Sequence, residues 1–233
     1  MTRVCLLALV ACSSPSKMPD AASNGDGVCG TDDLYTGEIV DWDSTTDTFC
    51  GVLGANLAVD GDPTETASTA NHPNGRFQLC LKPADQTVVT ITPPTDTSEC
   101  APAAGLYQLG GMAIATHAVI ATGQLNSLRM IGMTRAAAFF PQFGSGLDDT
   151  KAIVFVHVDG TPGTVISSAA HDTPVAFDGS AWGSGDTGIY VAFPNTDVST
   201  GSSTVNFADG NGIGGGTVPV AAHQFTYLNL VAQ

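Results

Sequence analysis

Residues 54–81 constrain the fold more than any other part of this 233-residue chain. They consist of short runs of alternating apolar and polar residues, which are separated by turn-forming residues. The turn at residues 60–63 combines a glycine, which tolerates positive φ, with a proline, which fixes its own φ. The pair Asn74-Gly75 is a favoured sequence for a two-residue hairpin turn. The segment therefore predicts a compact unit of antiparallel strands.

A looser copy of this pattern occupies residues 163–195. The 27 glycines and 13 prolines agree with a chain of many short strands and turns. Residues 153–158 form a continuous apolar run, which predicts a strand. In residues 129–144, Thr134 can cap one short helix that Pro141 ends, and the phenylalanines of this helix are expected to pack between two β units.

Two other stretches are strand-like without a regular alternation. Residues 112–122 are apolar and partly β-branched, which favours a strand and leaves a helix as the alternative. Residues 218–231 are expected to close the chain as one long strand. Because the apolar alternation slips within it, this strand is expected to contain a bulge.

The two copies together resemble the carboxypeptidase regulatory-like, transthyretin-type β-sandwich family. In the first copy, Gly54-Ala55 opens one strand and Gly75-Arg76-Phe77 opens another, as in that family. The second copy, from Gly163 to Phe193, lacks the alanine and carries a longer insertion. The resemblance covers about two thirds of the chain. It implies a seven-stranded, immunoglobulin-like sandwich, which is typically an accessory or surface module without catalysis of its own.

The resulting fold prediction is all-β, with two tandem immunoglobulin-like or transthyretin-like sandwich units joined by a short helix-containing linker. The units are expected at residues 35–128 and 151–233, with the linker at residues 129–150. Residues 1–11 are interpreted as a signal peptide and residues 12–34 as a flexible tether.

The first twelve residues, MTRVCLLALVAC, have the features of an export signal. Arg3 supplies a positive charge, and the apolar run that follows is too short to span a bilayer. The tetrapeptide at residues 9–12 resembles the lipobox of bacterial lipoproteins, which implies a diacylglycerol on Cys12 and cleavage just before it. The protein would then be lipid-anchored in the cell envelope, at the outer membrane, or exported. An ordinary cleaved signal with an incidental cysteine is the alternative.

The cysteine count agrees with export. The signal and the lipid account for two of the six cysteines, and the even remainder predicts two disulfides. Three pairings are possible, and we favour Cys50–Cys80 with Cys29–Cys100, since the second pair would close the ends of the first unit. No two of these four cysteines have the C-x-x-C spacing that is typical of zinc sites.

The charge balance excludes one class of partner. Seven basic residues against 22 acidic ones give a net charge of −15 at pH 7. Such a surface repels phosphate backbones, so nucleic acid is not expected to bind. Aspartates in the turns at residues 41–47 and 60–62 offer hard oxygen ligands to calcium, but they also commonly stabilise turns, and both interpretations stay open.

No catalytic motif stands out, and no cofactor is predicted. None of the five histidines lies two to four residues from another. A metal enzyme of the intradiol-dioxygenase type would have to gather His157, His171, His223 and Tyr190, and the H-x-H pair usual in that family is missing. Residues 210–215 match G-x-G-x-x-G, but no helix follows to hold a pyrophosphate.

These observations favour a non-catalytic, lipid-anchored envelope protein that acts as a structural or binding module. The alternative is a carbohydrate- or protein-binding module built on the glycine-rich loops of the second unit. Trp182 is its marker, because an aromatic ring among glycines can stack on a sugar. If Trp182 instead covers the edge of a sandwich, its role is packing.

Overall fold

The computed structural model describes residues 29–45, 48–69, 75–95 and 107–233. Within these ranges the chain forms fifteen strands, two α-helices and one 3₁₀ helix. The strands are β1 (Asp33–Asp41), β2 (Asn56–Val59), β3 (Asp62–Ser68), β4 (Arg76–Leu81), β5 (Gln86–Thr92), β6 (Gly111–Thr116), β7 (Asn126–Met130), β8 (Ala152–Asp159), β9 (Val165–Ser167), β10 (Val175–Phe177), β11 (Trp182–Ser184), β12 (Tyr190–Thr196), β13 (Ser202–Phe207), β14 (Gly216–Pro219) and β15 (Phe225–Val231). The helices are α1 (His117–Ile120), α2 (Met133–Phe139) and the 3₁₀ helix (Phe140–Phe143).

Nine strands form one long sheet in the order β11-β10-β12-β8-β15-β6-β5-β2-β3. The last strand of the chain, β15, lies in its middle and runs parallel to both neighbours, β6 and β8. Two three-stranded sheets, β4-β1-β7 and β14-β13-β9, accompany it. In the first of these, β1 is antiparallel to β4 and parallel to β7.

The two small sheets cover opposite faces of the long one. On β8, Ile153 and Phe155 pack into a core shared with β1, β4 and β7. Val154 and Val156 point the other way, into a second core shared with β9, β13 and β14. Burial on both faces explains why this strand is apolar without alternation. Each such side chain contributes about 1.5–3 kcal/mol by leaving water.

The all-β prediction is confirmed, whereas the tandem arrangement of two sandwich units with a linker is not. The long sheet takes β2, β3, β5 and β6 from residues 35–128, and it takes β8, β10, β11, β12 and β15 from residues 151–233. The pairing of β15 with β6 joins the two sets. Parallel strands cannot be joined by a tight hairpin turn, so this pairing leaves no turn signal in the sequence.

The predicted helix is present, but its start differs from the prediction. Helix α2 takes Gly132 as its N-cap and has no side-chain cap, so the capping role given to Thr134 is wrong. Phe139 and Phe140 are buried in the first core, in agreement with the predicted packing role.

The two irregular stretches both divide into separate elements. Residues 112–122 contain all of β6 except its first residue, followed by the single turn of α1, so strand and helix are both present. The expected long strand at residues 218–231 is wrong, because β14 ends at Pro219 and β15 begins at Phe225. Between them, His223 adopts a left-handed φ of 59°, which a continuous strand does not accommodate.

Candidate functional site

One disulfide joins Cys29, the first described residue, to strand β4 of the β4-β1-β7 sheet. Cys29 and Cys80 are bonded with a Cα–Cα distance of 5.3 Å, so the favoured pairing of Cys50 with Cys80 and Cys29 with Cys100 is wrong. The register of β1 and β4 places Leu34 opposite Cys80, which brings the turn before β1 to this cysteine. Cys50 is buried and also disulfide-bonded. Cys12 and Cys100 lie outside the described residues.

The best-defined polar centre is the buried side chain of Arg129, which is 5% exposed and lies on β7. Its Nη1 donates hydrogen bonds to the carbonyl oxygens of Trp42 at 2.7 Å and Ser44 at 2.8 Å. The guanidinium carbon lies 4.4 Å from the centroid of the Tyr190 ring. The hydroxyl of Tyr227 donates to the carbonyl oxygen of Arg129 at 3.0 Å. The arginine thereby fixes the chain that leaves β1 against the long sheet.

His157 lies next to this centre and stacks on the same tyrosine. The centroids of the His157 and Tyr190 rings are 4.9 Å apart, with 26° between their planes. Burial lowers the pKa of His157 to about 4, so the imidazole is neutral at pH 7. Its Nε2 lies 3.8 Å from Oδ1 of Asp159, and burial raises the pKa of that carboxyl. Asn229 occupies the position opposite His157 on β15.

The other two histidines of the hypothetical metal set lie away from His157. His171 packs against Phe193, at 4.8 Å between ring centroids, and Phe193 belongs to the second core. His223 lies before β15, at the end of the long sheet remote from His157, with Nδ1 3.4 Å from a carboxylate oxygen of Asp149. In the described part of the chain, no three His, Cys, Asp or Glu side chains come together as a metal site.

Trp182 lies on β11, at one edge of the long sheet. Its ring stacks on the buried Trp42, with 4.6 Å between centroids and 6° between planes. Phe139 and Phe177 pack against it at 5.4 and 5.3 Å. One face of the indole is therefore covered by the core. Sugar binding through Trp182 stays a prediction. A sugar could stack only on the face of the indole that is turned away from Trp42.

The carboxylates of the first acidic turn have protein partners. Asp41 is 1% exposed and accepts hydrogen bonds from the hydroxyl of Tyr107 and from the N–H of Asp43. Burial raises the pKa of Asp41. Asp43 forms a two-point ion pair with Arg135, at 2.6 and 2.9 Å. Asp47 lies outside the described residues.

In the second acidic turn, Asp62 accepts hydrogen bonds from Lys82 at 2.6 Å and from Thr64 at 2.7 Å. The hydrogen bond from Lys82, followed by that from Thr64, lowers the pKa of Asp62 to about 2. The carboxylates of Asp41, Asp43 and Asp62, which the sequence suggested as calcium ligands, therefore bind other groups of the protein.

Sequence reasoning missed Asn195, which lies in β12 and connects two loops. Its Nδ2 lies 2.6 Å from the carbonyl oxygen of Gly146 and 2.7 Å from Oδ2 of Asp172, and its Oδ1 accepts the N–H of Asp148 at 3.0 Å. Asn195 and His223 are the two non-glycine residues with positive φ among the described ones, at 52° and 59°. Asparagine tolerates this conformation, but no pattern in the sequence marks the position.

Both of these residues line a shallow pocket at one end of β8 and β15. The pocket is bordered by Leu109, Leu147, Asp148, Asp149, Lys151, Ile153, Asn195, His223 and Gln224. Two of its side chains have acidic partners, since Lys151 lies 3.1 Å from Asp197 and His223 lies 3.4 Å from Asp149.

No protein-family model matches the chain, and no curated protein matches it. In the described ranges, neither α-helix has the length and hydrophobicity that a membrane crossing requires.

The buried imidazole leads to a pH prediction. An unfolded histidine has a pKa near 6.5, so between about pH 6.5 and pH 4 the unfolded chain binds the proton that folded His157 does not. The contribution of His157 to the free energy of unfolding therefore falls as the pH falls through this window, by up to about 3 kcal/mol. Glu38, Asp41 and Asp159 oppose this, because burial raises the pKa of each in the folded state.

Urea unfolding of the wild type and of His157→Gln across this range isolates the effect. The stability difference between the two proteins is expected to shrink or reverse in favour of the variant towards pH 4. His171→Gln, at a half-buried position away from His157, controls for the loss of a histidine elsewhere. A difference between wild type and His157→Gln that stays constant with pH would contradict the assignment.

Proposed function

We propose that this protein is a non-catalytic module of the cell envelope, which a lipid on Cys12 holds at a membrane and which serves as a structural or binding unit outside the cytoplasm. The observation that supports this most is the Cys29–Cys80 disulfide. Structural disulfides form and persist in oxidising compartments and are rare in the cytosol. The bond therefore agrees with the export signal at residues 1–11.

The position of the disulfide also suits an anchored protein. The segment that follows Cys12 in the sequence enters the β body at Cys29, where a covalent bond reaches β4. Strand β1 starts four residues later and pairs with β4 along its length, from Asp33 opposite Leu81 to Glu38 opposite Arg76. A pull on the tether would thus be carried by a disulfide and a strand pair together.

The interior favours a rigid support over an enzyme. The buried groups that could carry chemistry are used in packing: Arg129 holds backbone carbonyl oxygens, and His157 is a neutral ring stacked on Tyr190. Trp42 anchors an aromatic cluster that includes Phe139, Phe155 and Trp182. Such a body can present its loops in fixed positions, which is what a display or binding module requires.

The anchor can be tested with a matched pair of cysteine variants. In a bacterium that processes lipoproteins, the wild type is expected in the membrane fraction, with its N-terminus at a diacylated Cys12 and with incorporated radiolabelled palmitate. Cys12→Ala is expected to lose the label and the modified N-terminus. Cys5→Ala is the control, because Cys5 lies in the segment that cleavage removes, so its mature product is expected to be identical to that of the wild type. An unmodified Cys12 in the wild-type mature protein, found by mass spectrometry, would refute the anchor.

A further inference from the structure

The loop between β13 and β14 contains an exposed, glycine-rich segment. Within residues 208–215, Asp209, Asn211 and Gly212 are exposed. The N–H of Asn211 donates to Oδ1 of Asp209 at 2.9 Å, and Nδ2 of Asn211 lies 3.2 Å from Oδ2 of Asp209. Both hydrogen bonds connect Asn211 to Asp209 within this exposed turn.

The backbone nitrogen of Gly212 is accessible. Gly212 is exposed, and no acceptor for its N–H is found within the described residues. The next residue, in contrast, is fixed: Ile213 exchanges two backbone hydrogen bonds with Val231, at 2.9 and 3.0 Å. The Gly212 nitrogen thus lies immediately before the point where the loop pairs with β15.

The fold also requires glycine at position 212. Its φ is +143°, which side-chain-bearing residues rarely adopt, and a Cβ there would lie 2.3 Å from the Phe207 ring. No side chain can therefore shield the peptide nitrogen at this position. Because position 212 must be glycine, Asn211 is followed by the residue that least hinders attack of its own backbone nitrogen on the asparagine side-chain amide.

We propose that Asn211 is a site of spontaneous deamidation through a cyclic imide, which makes this loop a place where the protein changes covalently with age. The nitrogen of Gly212 attacks Cγ of Asn211, a C–N bond forms, the Cγ–Nδ2 bond breaks, and ammonia leaves with the proton from Gly212. Water then opens the imide at either carbonyl and yields an aspartyl or an isoaspartyl residue. No oxidant or reductant is needed.

The product changes the local electrostatics of the loop. A new carboxylate appears next to Asp209, whose own pKa is lowered by the hydrogen bonds from Asn211. The isoaspartyl form also lengthens the backbone by one carbon immediately before Gly212. Because Ile213 is held by Val231, the change is confined to the exposed tip, and the sheet is expected to stay intact.

Peptide mapping of the purified full-length protein, incubated in mildly alkaline buffer, tests the proposal. The peptide with Asn211 is expected to gain the mass of an amide-to-acid conversion, to yield both aspartyl and isoaspartyl products, and to take one oxygen from isotopically labelled water. Asn206, which lies in β13 and precedes Phe207, is the internal control and is expected to stay unchanged. In Asn211→Gln the conversion at this position is expected to be lost, because the corresponding ring is larger and closes far more slowly.

A synthetic peptide of residues 207–214 gives the rate that the unfolded sequence supports. Conversion of the folded protein at a rate comparable to that of the peptide, and faster at higher pH, would support the proposal. An intact Asn211 in the folded protein after the peptide has converted would overturn it. An aspartyl product without any isoaspartyl form would overturn it too, since direct hydrolysis does not pass through the imide.

Discussion

Replacing Arg129 by methionine is expected to lower the free energy of unfolding by roughly 3–5 kcal/mol. The substitution removes the donor to the carbonyl oxygens of Trp42 and Ser44, and methionine can offer these buried acceptors nothing in return. It also removes the cation that lies over the Tyr190 ring at 4.4 Å. A loss of this size is a large part of the stability of an ordinary domain, which is about 5–15 kcal/mol.

The same substitution at Arg135 provides the control. Arg135 forms an ion pair with Asp43 at the surface, and such pairs contribute about 0–1 kcal/mol. Urea unfolding should therefore separate the two variants by several kcal/mol at unchanged dependence on urea. If Arg129→Met does not fold, Arg129→Lys serves in its place, because lysine retains one charged donor. The free energy of unfolding of Arg129→Lys is expected to be lower than those of the wild type and Arg135→Met, and higher than that of Arg129→Met. Equal stabilities of the two methionine variants would contradict the central role of Arg129.

The strands of this protein are largely predictable, because they arise from local patterns. The continuous apolar run at residues 153–158 predicts β8, and burial on both faces of the sheet is the physical reason for it. The turn glycine at position 61 lies between β2 and β3 with a φ of +78°, as its sequence context predicts. Periodicity and turn chemistry identify such elements without any knowledge of their partners.

The pairing of the strands is not predictable in this way. The two parallel neighbours of β15 begin at Gly111 and Ala152. No pattern in the sequence between these strands indicates that β15 pairs with them. A motif-based analysis finds the repeated local unit and naturally treats each copy as a separate sandwich. The long sheet instead merges strands from both copies, because β15 offers hydrogen bonds on both of its sides.

The polar centre escapes sequence analysis for a related reason. The sequence places Arg129 at the start of the expected linker, where an arginine is usually exposed. Its burial on β7 becomes favourable only because carbonyl oxygens converge on it. These oxygens belong to residues 42 and 44, which lie more than eighty positions away in the chain. Asn195 is similar, since its four partners belong to two loops that are distant from it in the sequence and adjacent to it in the fold.

Removal of the Cys29–Cys80 disulfide, which the sequence analysis did not predict, is the other change with a large expected effect on stability. Replacing both Cys29 and Cys80 by serine is expected to lower the free energy of unfolding by about 4 kcal/mol, the value that chain-entropy arguments give for a closed loop of this length. The two cysteines are 51 positions apart, so their bond removes many conformations from the unfolded chain. In the folded protein it also fixes the turn before β1 to the edge strand β4.

Two measurements distinguish this bond from the pairing that the sequence favours. Digestion without reducing agent should yield one linked peptide pair that contains Cys29 and Cys80. Single variants Cys29→Ser and Cys80→Ser should each lose about as much stability as the double variant, since either one breaks the same bond. If Cys80 were bonded to Cys50, Cys29→Ser would leave that bond intact and the two single variants would differ. A linked peptide containing Cys50 and Cys80 would contradict the Cys29–Cys80 bond.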